Sequence, residues 1–193
     1  MANEYAQLDA LKARLDIEVD DTTRDELLGN ALAAASRGID TATGRRFWID
    51  PDPVARTFAL AGRTVRDERG DRVLLDDIGD EPLLVESGST GAWTALTDYE
   101  SSPDNALLRG RPITALSGAW WGAGRIRVTA RWGWPQVPDE IREAALIQAA
   151  RLYRRKDSPE GVTGSAEWGV VRLSRRDPDV WALIEHFCLP GFG

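Results

Sequence analysis

The stretch from residue 125 to residue 161, RIRVTARWGWPQVPDEIREAALIQAARLYRRKDSPEG, changes its hydrophobic period midway. In the first part Ile126, Val128, Ala130, Trp132 and Trp134 alternate with Arg125, Arg127, Thr129, Arg131 and Gly133. That two-residue repeat is the mark of a strand with one face buried and the other wet. After Pro138 and Asp139 the repeat lengthens, and Ile141, Ala145, Leu146, Ala149, Leu152 and Tyr153 fall along one arc of a helix. Glu143, Gln148, Arg151, Arg154 and Arg155 fall opposite. At its standard rise this helix is roughly 27 Å long, enough to brace a domain. It ends in Arg154, Arg155 and Lys156, directly before the breaker Asp157-Ser158-Pro159. A basic last turn complements the helix dipole by about 0.3–1 kcal/mol per charge. A helix end that meets a second molecule would use the same charges.

Upstream of this switch the chain reads in two parts. Residues 1 to 47 are predicted to be helical: Tyr5, Leu8, Leu11 and Leu15 mark a first helix. Thr23 and Glu26 match a capping box that opens a second. Leu27, Leu28, Ala31, Ala35 and Ile39 give the second helix a stripe of mostly small residues, and Gly44 suits a left-handed cap. Pro51 and Pro53 then break the pattern, and β-rich runs follow, separated by Gly, Asp, Ser and Pro clusters. These are VARTFAL, DRVLLDD, PLLVES, WTALTDY, ALLRG and ITALSG, with WWGAG at 120–124 as the turn into the strand at 125. Downstream of residue 159 a Gly- and Ser-rich segment reads as an extended arm. Asp177 as N-cap and Pro178 at the first helical position open a short last helix that buries Val180, Trp181 and Ile184 or Phe187.

The expected fold is therefore α+β: a helical bundle of two N-terminal helices, one long helix and a short C-terminal helix, with an inserted antiparallel β module. The expected division is residues 1–50 with 135–193 for the helical part and its arm, and 51–134 for the β module.

Composition narrows the function. With 24 basic and 31 acidic side chains among 193 residues the net charge is -7, which disfavours a general nucleic-acid binder. The N-terminal sequence has no basic region followed by a continuous apolar run, so it reads as neither signal peptide nor anchor, and a cytosolic start is expected. Cys188 and His186 are each the only residue of their kind, leaving no intrachain disulfide and no Cys/His zinc set. No Gly-rich phosphate loop occurs. Asp76, Asp77, Asp80 and Glu81 lack the spacing of a calcium loop and read as a solvated turn, with a hard cation as the alternative. Trp120, Trp121, Trp132 and Trp134 near Arg125, Arg127 and Arg131 read as strand core with arginines outside, or as an aromatic and basic binding face. No catalytic, cofactor-binding or metal-binding residue is expected, and no enzyme.

The order of these parts resembles the gp6-like head-tail connector (head-to-tail adaptor) family of tailed bacteriophages. The resemblance rests on Thr43-Gly44-Arg45 with Phe47 at the end of the second helix, and on the strand, Gly-Trp, Pro and long-helix succession of 125–156. The C-terminal RDPDVWALIEHFCLPGFG is more loosely similar to actinophage-type members. The resemblance implies a structural virion protein in the head-tail neck, assembled in the host cytoplasm into a ring of about twelve subunits. Such a ring docks under the portal protein and joins it to a stopper or tail-completion protein. Genomic DNA passes through its centre without sequence-specific binding, and an acidic balance suits such a channel. No cofactor and no membrane are implied. The candidate contacts with neighbouring subunits or the portal are Arg45, then Ala144 and Ile147 off the main apolar arc, and the basic end Arg151, Arg154, Arg155 and Lys156. Phe187, Leu189, Pro190 and Phe192 of the C-terminal segment complete the set, as the portal contact. The alternative is a nucleic-acid-binding module in which Arg151–Lys156 and Arg172–Arg176 share a face.

Overall fold

The computed structural model describes residues 3–67, 70–89, 91–118, 124–155, 162–163, 171–172 and 177–189. The chain divides into two compact units, residues 46–136 and residues 1–45 with 137–193.

The sheet unit, 46–136, is built from eight strands: β1 (Val54–Ala59), β2 (Thr64–Asp67), β3 (Gly70–Ile78), β4 (Leu84–Ser89), β5 (Ala92–Ala95), β6 (Glu100–Ser102), β7 (Ile113–Gly118) and β8 (Arg125–Ala130). They form two four-stranded antiparallel sheets, ordered β1-β8-β4-β5 and β2-β3-β7-β6. The alternation in β8 sets the first sheet. Ile126, Val128 and Ala130 are fully buried, and their partners across the ladder include Phe58 on β1 and Val85 on β4, both buried too. Val73, Leu75 and Ile78 of β3 and Ile113 and Leu116 of β7 bring the second sheet into the same core. The sheets are tied where the chain leaves β8. Trp132 pairs with Ile78, and Gly79 N–H and Gly133 N–H donate to the Arg131 and Asp77 carbonyls at 2.9 and 2.8 Å. Trp132 closes this corner of the core. Its ring lies 5.5 Å from that of Phe58, and its indole N–H donates to the Val54 carbonyl at 2.7 Å.

The helical unit holds α1 (Leu8–Arg14), α2 (Asp25–Thr43), α3 (Asp139–Arg155) and α4 (Pro178–Ile184), with the two-residue strands β9 (Val162–Thr163) and β10 (Val171–Arg172) paired antiparallel. Leu11 of α1, Leu28, Leu32 and Ala35 of α2, and Leu146, Ala149, Ala150 and Tyr153 of α3 share one core. Small residues at 35, 149 and 150 allow α2 and α3 to approach closely. α4 begins as expected: the Asp177 carboxylate accepts from the amides of Asp179 and Val180 at 3.0 and 3.3 Å, with Pro178 in the first turn.

These elements correct the expected fold class. Among the described residues the fold is not a helical bundle with an inserted β module but a sheet-rich α+β fold, in which two four-stranded sheets accompany two long helices. α1 and α4 have seven residues each, about two turns, so two of the four expected bundle helices are short. The sheets were undercounted because β2 and β6 are short and mostly polar and carry no apolar alternation. ALLRG, expected to be a strand, is instead a 3-10 turn at Leu107–Arg109. Two local readings change as well. The Thr23–Glu26 capping box does not form: Thr23 donates through its amide and hydroxyl to Asp21 at 3.0 and 2.6 Å, and α2 starts at Asp25. The buried stripe of α2 contains Leu32 and omits Leu27, which is 53% exposed.

Candidate functional site

The candidate contact residues fall in the helical unit, and two groups of them come together. At the end of α2, Gly44 takes the expected left-handed cap (φ 68°), and the chain beyond α4 returns to this point. Arg45 Nε donates to the Phe187 carbonyl at 2.8 Å, and the Leu189 amide donates to the Thr43 carbonyl at 2.9 Å. The Leu189 side chain lies against Gly44, and the Cys188 thiol donates to the Ala42 carbonyl at 3.5 Å. Arg45, Phe187 and Leu189 therefore form one cluster, in which Leu189 keeps 48% of its surface exposed. Pro190 and Phe192 lie outside the described residues.

The second group is the end of α3. Arg151 is drawn into an ion pair with Asp177, the N-cap of α4, at 3.3 Å. Its charge thus holds two helices together. Arg154 and Arg155 are exposed, while Lys156 lies outside the described residues. Beside them the Tyr153 hydroxyl accepts from Arg24 at 3.3 Å, which places the start of α2 next to the end of α3. Ala144 is corrected: it is fully buried and presents nothing to a neighbouring molecule, because the buried arc of α3 is wide enough to include both Ala144 and Ala145. Ile147 is half-buried.

The remaining sequence candidates resolve into structural roles. Trp132 and Trp134 are core residues, and the Trp134 indole donates to Asp77 Oδ2 at 3.0 Å. Arg127 makes a two-pronged contact with Glu86, at 2.7 and 2.8 Å, and lies over the Trp93 ring at 4.5 Å. Those two hydrogen bonds hold the Glu86 carboxyl below the usual carboxylate range. Arg131 donates to the Asp50 carbonyl and pairs with Asp80 at 3.5 Å. Asp76 is held by Arg56 and Arg63 at 3.2 and 3.4 Å. Arginines thus engage Asp76 and Asp80 of the acidic run. Among the described residues no group of three or more His, Cys, Asp or Glu is placed to hold a metal ion, and no helix is long and apolar enough to cross a membrane. Trp120, Trp121, Arg175 and Arg176 lie outside the described residues, as does the side chain of Arg172.

No family model matches this chain, and no curated protein sequence matches it. Solved structures do. One is a chain of the neck of an empty gene transfer agent particle computed with C6 symmetry, at 20% identity and a TM-score of 0.57, covering 98% of this chain and 92% of that one. The two chains share a fold. A chain of the virion of a native gene transfer agent particle also matches, at 18% identity and a TM-score of 0.54, again over 98% and 92%. Both likenesses run through the helical unit and the sheet unit together.

Sequence reasoning missed Leu27 and Leu108, which are 53% and 87% exposed. The sequence pattern places Leu27 in the apolar stripe of α2, whose buried face instead runs through Leu28, Leu32, Ala35 and Ile39. Leu108 carried no signal, because its exposure depends on the turn that replaced the expected strand.

Proposed function

We propose that this chain is a structural protein of a phage-like virion neck, a head-to-tail adaptor of the gp6-like connector type and not an enzyme. The observation that carries the reading is the likeness to a gene transfer agent neck chain over 98% of this sequence. In this role copies of the chain form a closed ring beneath the portal protein, hand on to a stopper or tail-completion protein, and line part of the channel through which DNA passes. Closure requires two different faces of each subunit to meet. The six-fold symmetry applied to the neighbouring structure suits a ring of six or of about twelve, since a six-fold axis divides both. The net charge of -7 supports a channel that does not hold its passing DNA.

The exposed end of α3, with Arg154 and Arg155, is the surface we assign to a neighbouring subunit. The segment from Phe187 onward is the one we assign to the portal, since Arg45 and Thr43 fix its direction on leaving α4. The reading is tested by mass measurement and electron microscopy of the purified chain, alone and with its portal protein. Rings are expected; monomers under both conditions would remove it. Deleting residues 190–193 leaves the bonds to Phe187 and Leu189 in place, so the melting temperature should hold while portal-bearing heads no longer join to tails. Undiminished joining by that variant would reject the portal contact.

A further inference from the structure

The turn between β6 and β7 holds a leucine away from the protein. Its backbone is closed on itself: Ala106 N–H donates to the Pro103 carbonyl at 3.2 Å and Gly110 N–H to Leu107 at 3.0 Å. Arg109 and Arg111 N–H both donate to the Ala106 carbonyl, at 3.0 and 2.9 Å. Ala106 is buried and Leu107 packs on the sheet core, so the turn is anchored from beneath. Leu108, the next residue, is 87% exposed, and exposed Arg109 and Arg111 follow it one and three residues on. Among the described residues neither arginine is in an ion pair. A lone exposed leucine is ordinary on a protein surface. One presented on a fixed turn and followed closely in sequence by two exposed cations is different, since its turn is already ordered and needs little further ordering on binding.

The same unit carries a surface of opposite character. Leu83 is 70% exposed and Leu84 42% exposed, and the Leu83 amide donates to the Thr129 carbonyl at 2.9 Å, which fixes the segment against β8. Asp80 and Glu81 precede them, both exposed; Asp80 pairs with Arg131, whereas the Glu81 carboxylate is in no ion pair among the described residues and gives this surface its acidic charge. One surface is apolar and basic; the other is apolar and acidic. This charge complementarity lies between two different regions of one chain, as a head-to-tail contact between identical subunits requires. We propose that Leu108, with Arg109 and Arg111, seats against Glu81, Leu83 and Leu84 of an adjacent copy of this chain. The inference rests on the ring reading above and names a contact within it.

The test uses the full chain with Cys188→Ser, which removes the native thiol. Leu108→Cys chains and Leu83→Cys chains are assembled separately and as a mixture, then oxidised. Covalent dimers are expected only from the mixture; their absence from intact mixed rings overturns the contact. Leu108→Glu should raise the concentration needed for ring assembly by about tenfold or more, with an unchanged melting temperature. Rings of Leu108→Glu that form as readily as wild type overturn the inference and leave the neck reading standing. If such rings form but no longer join their portal or tail, the turn meets a different protein and the second copy is excluded. If the wild-type chain forms no ring with or without its portal, both readings fall together.

Discussion

Lys12 sits in the core of the helical unit with 1% of its surface exposed, and its Nζ lies 2.6 Å from Asp25 and 3.0 Å from the Val19 carbonyl. It links α1, the following loop and the first turn of α2. Removing Lys12 empties a core position and leaves the partly exposed Asp25 without its partner, so Lys12→Ala should destabilise the protein by about 2 kcal/mol in urea unfolding. A loss under about 1 kcal/mol would show that water reaches Asp25 well enough to replace the lysine. Nothing in the local sequence announces this role except position: Lys12 lies four residues after Leu8 and next to Leu11, on the arc that faces inward. Glu86 gives a pH dependence. Its folded pKa is lowered, first by the hydrogen bonds from Arg127, so its contribution is complete above the unfolded value of about 4.3 and disappears as pH falls through the folded pKa. Asp71, bonded by Arg66, and Asp21, bonded by Thr23, act with the same sign. Stability should decline on acidification below about pH 4.5, and Glu86→Gln should flatten that decline in urea midpoints measured across pH. An unaltered slope would assign the effect to the other two carboxylates.

At the level of elements, the residue that makes the sheet corner is Gly133. Its φ is +109°, and a Cβ there would overlap the Trp48 carbonyl oxygen, so the 46–50 segment passes directly over it. Gly133→Ala should cost at least about 2 kcal/mol and shift the thermal transition of the sheet unit. A near-neutral melt would mean that the 46–50 segment can move aside. What the sequence disclosed here follows from pattern strength. β8, α3 and the Asp177 cap were legible because a half-buried strand, an amphipathic helix and an N-cap each impose a repeat or a residue type. β2 and β6 impose neither: they lie at the edges of their sheet, where polar side chains are tolerated on both faces. Leu107 and Leu108 show the opposite failure. Two adjacent leucines read as strand, yet the 3-10 turn sends one into the core and the other to the surface. Only long-range packing distinguishes them.

Across the whole molecule, the sequence could only nominate contact residues, because a surface that meets another molecule and a surface that meets water use the same side chains. Arg151 and Arg154 looked alike in sequence, but Arg151 is bound to Asp177 whereas Arg154 is exposed. Reversing Arg154 and Arg155 to Glu should therefore leave the melting temperature within about 1 °C, beyond a small loss of dipole complementarity, while weakening the proposed ring assembly. Assembly at wild-type concentration, read by native mass measurement, would free this end of α3 from the interface.

The two ends of the sheet unit lie side by side. Arg46 and the Asp50 amide both donate to the Trp132 carbonyl, at 2.9 and 2.8 Å, so the chain begins this unit within hydrogen-bonding distance of where it finishes. A unit with adjoining ends is a cassette: a short linker could replace residues 46–136 without stretching the chain between α2 and α3, and joining the ends would allow the cassette to be circularly permuted. In evolutionary terms, a lineage with this fold could acquire, exchange or discard its β half in one recombination event while inheriting the helical half unchanged.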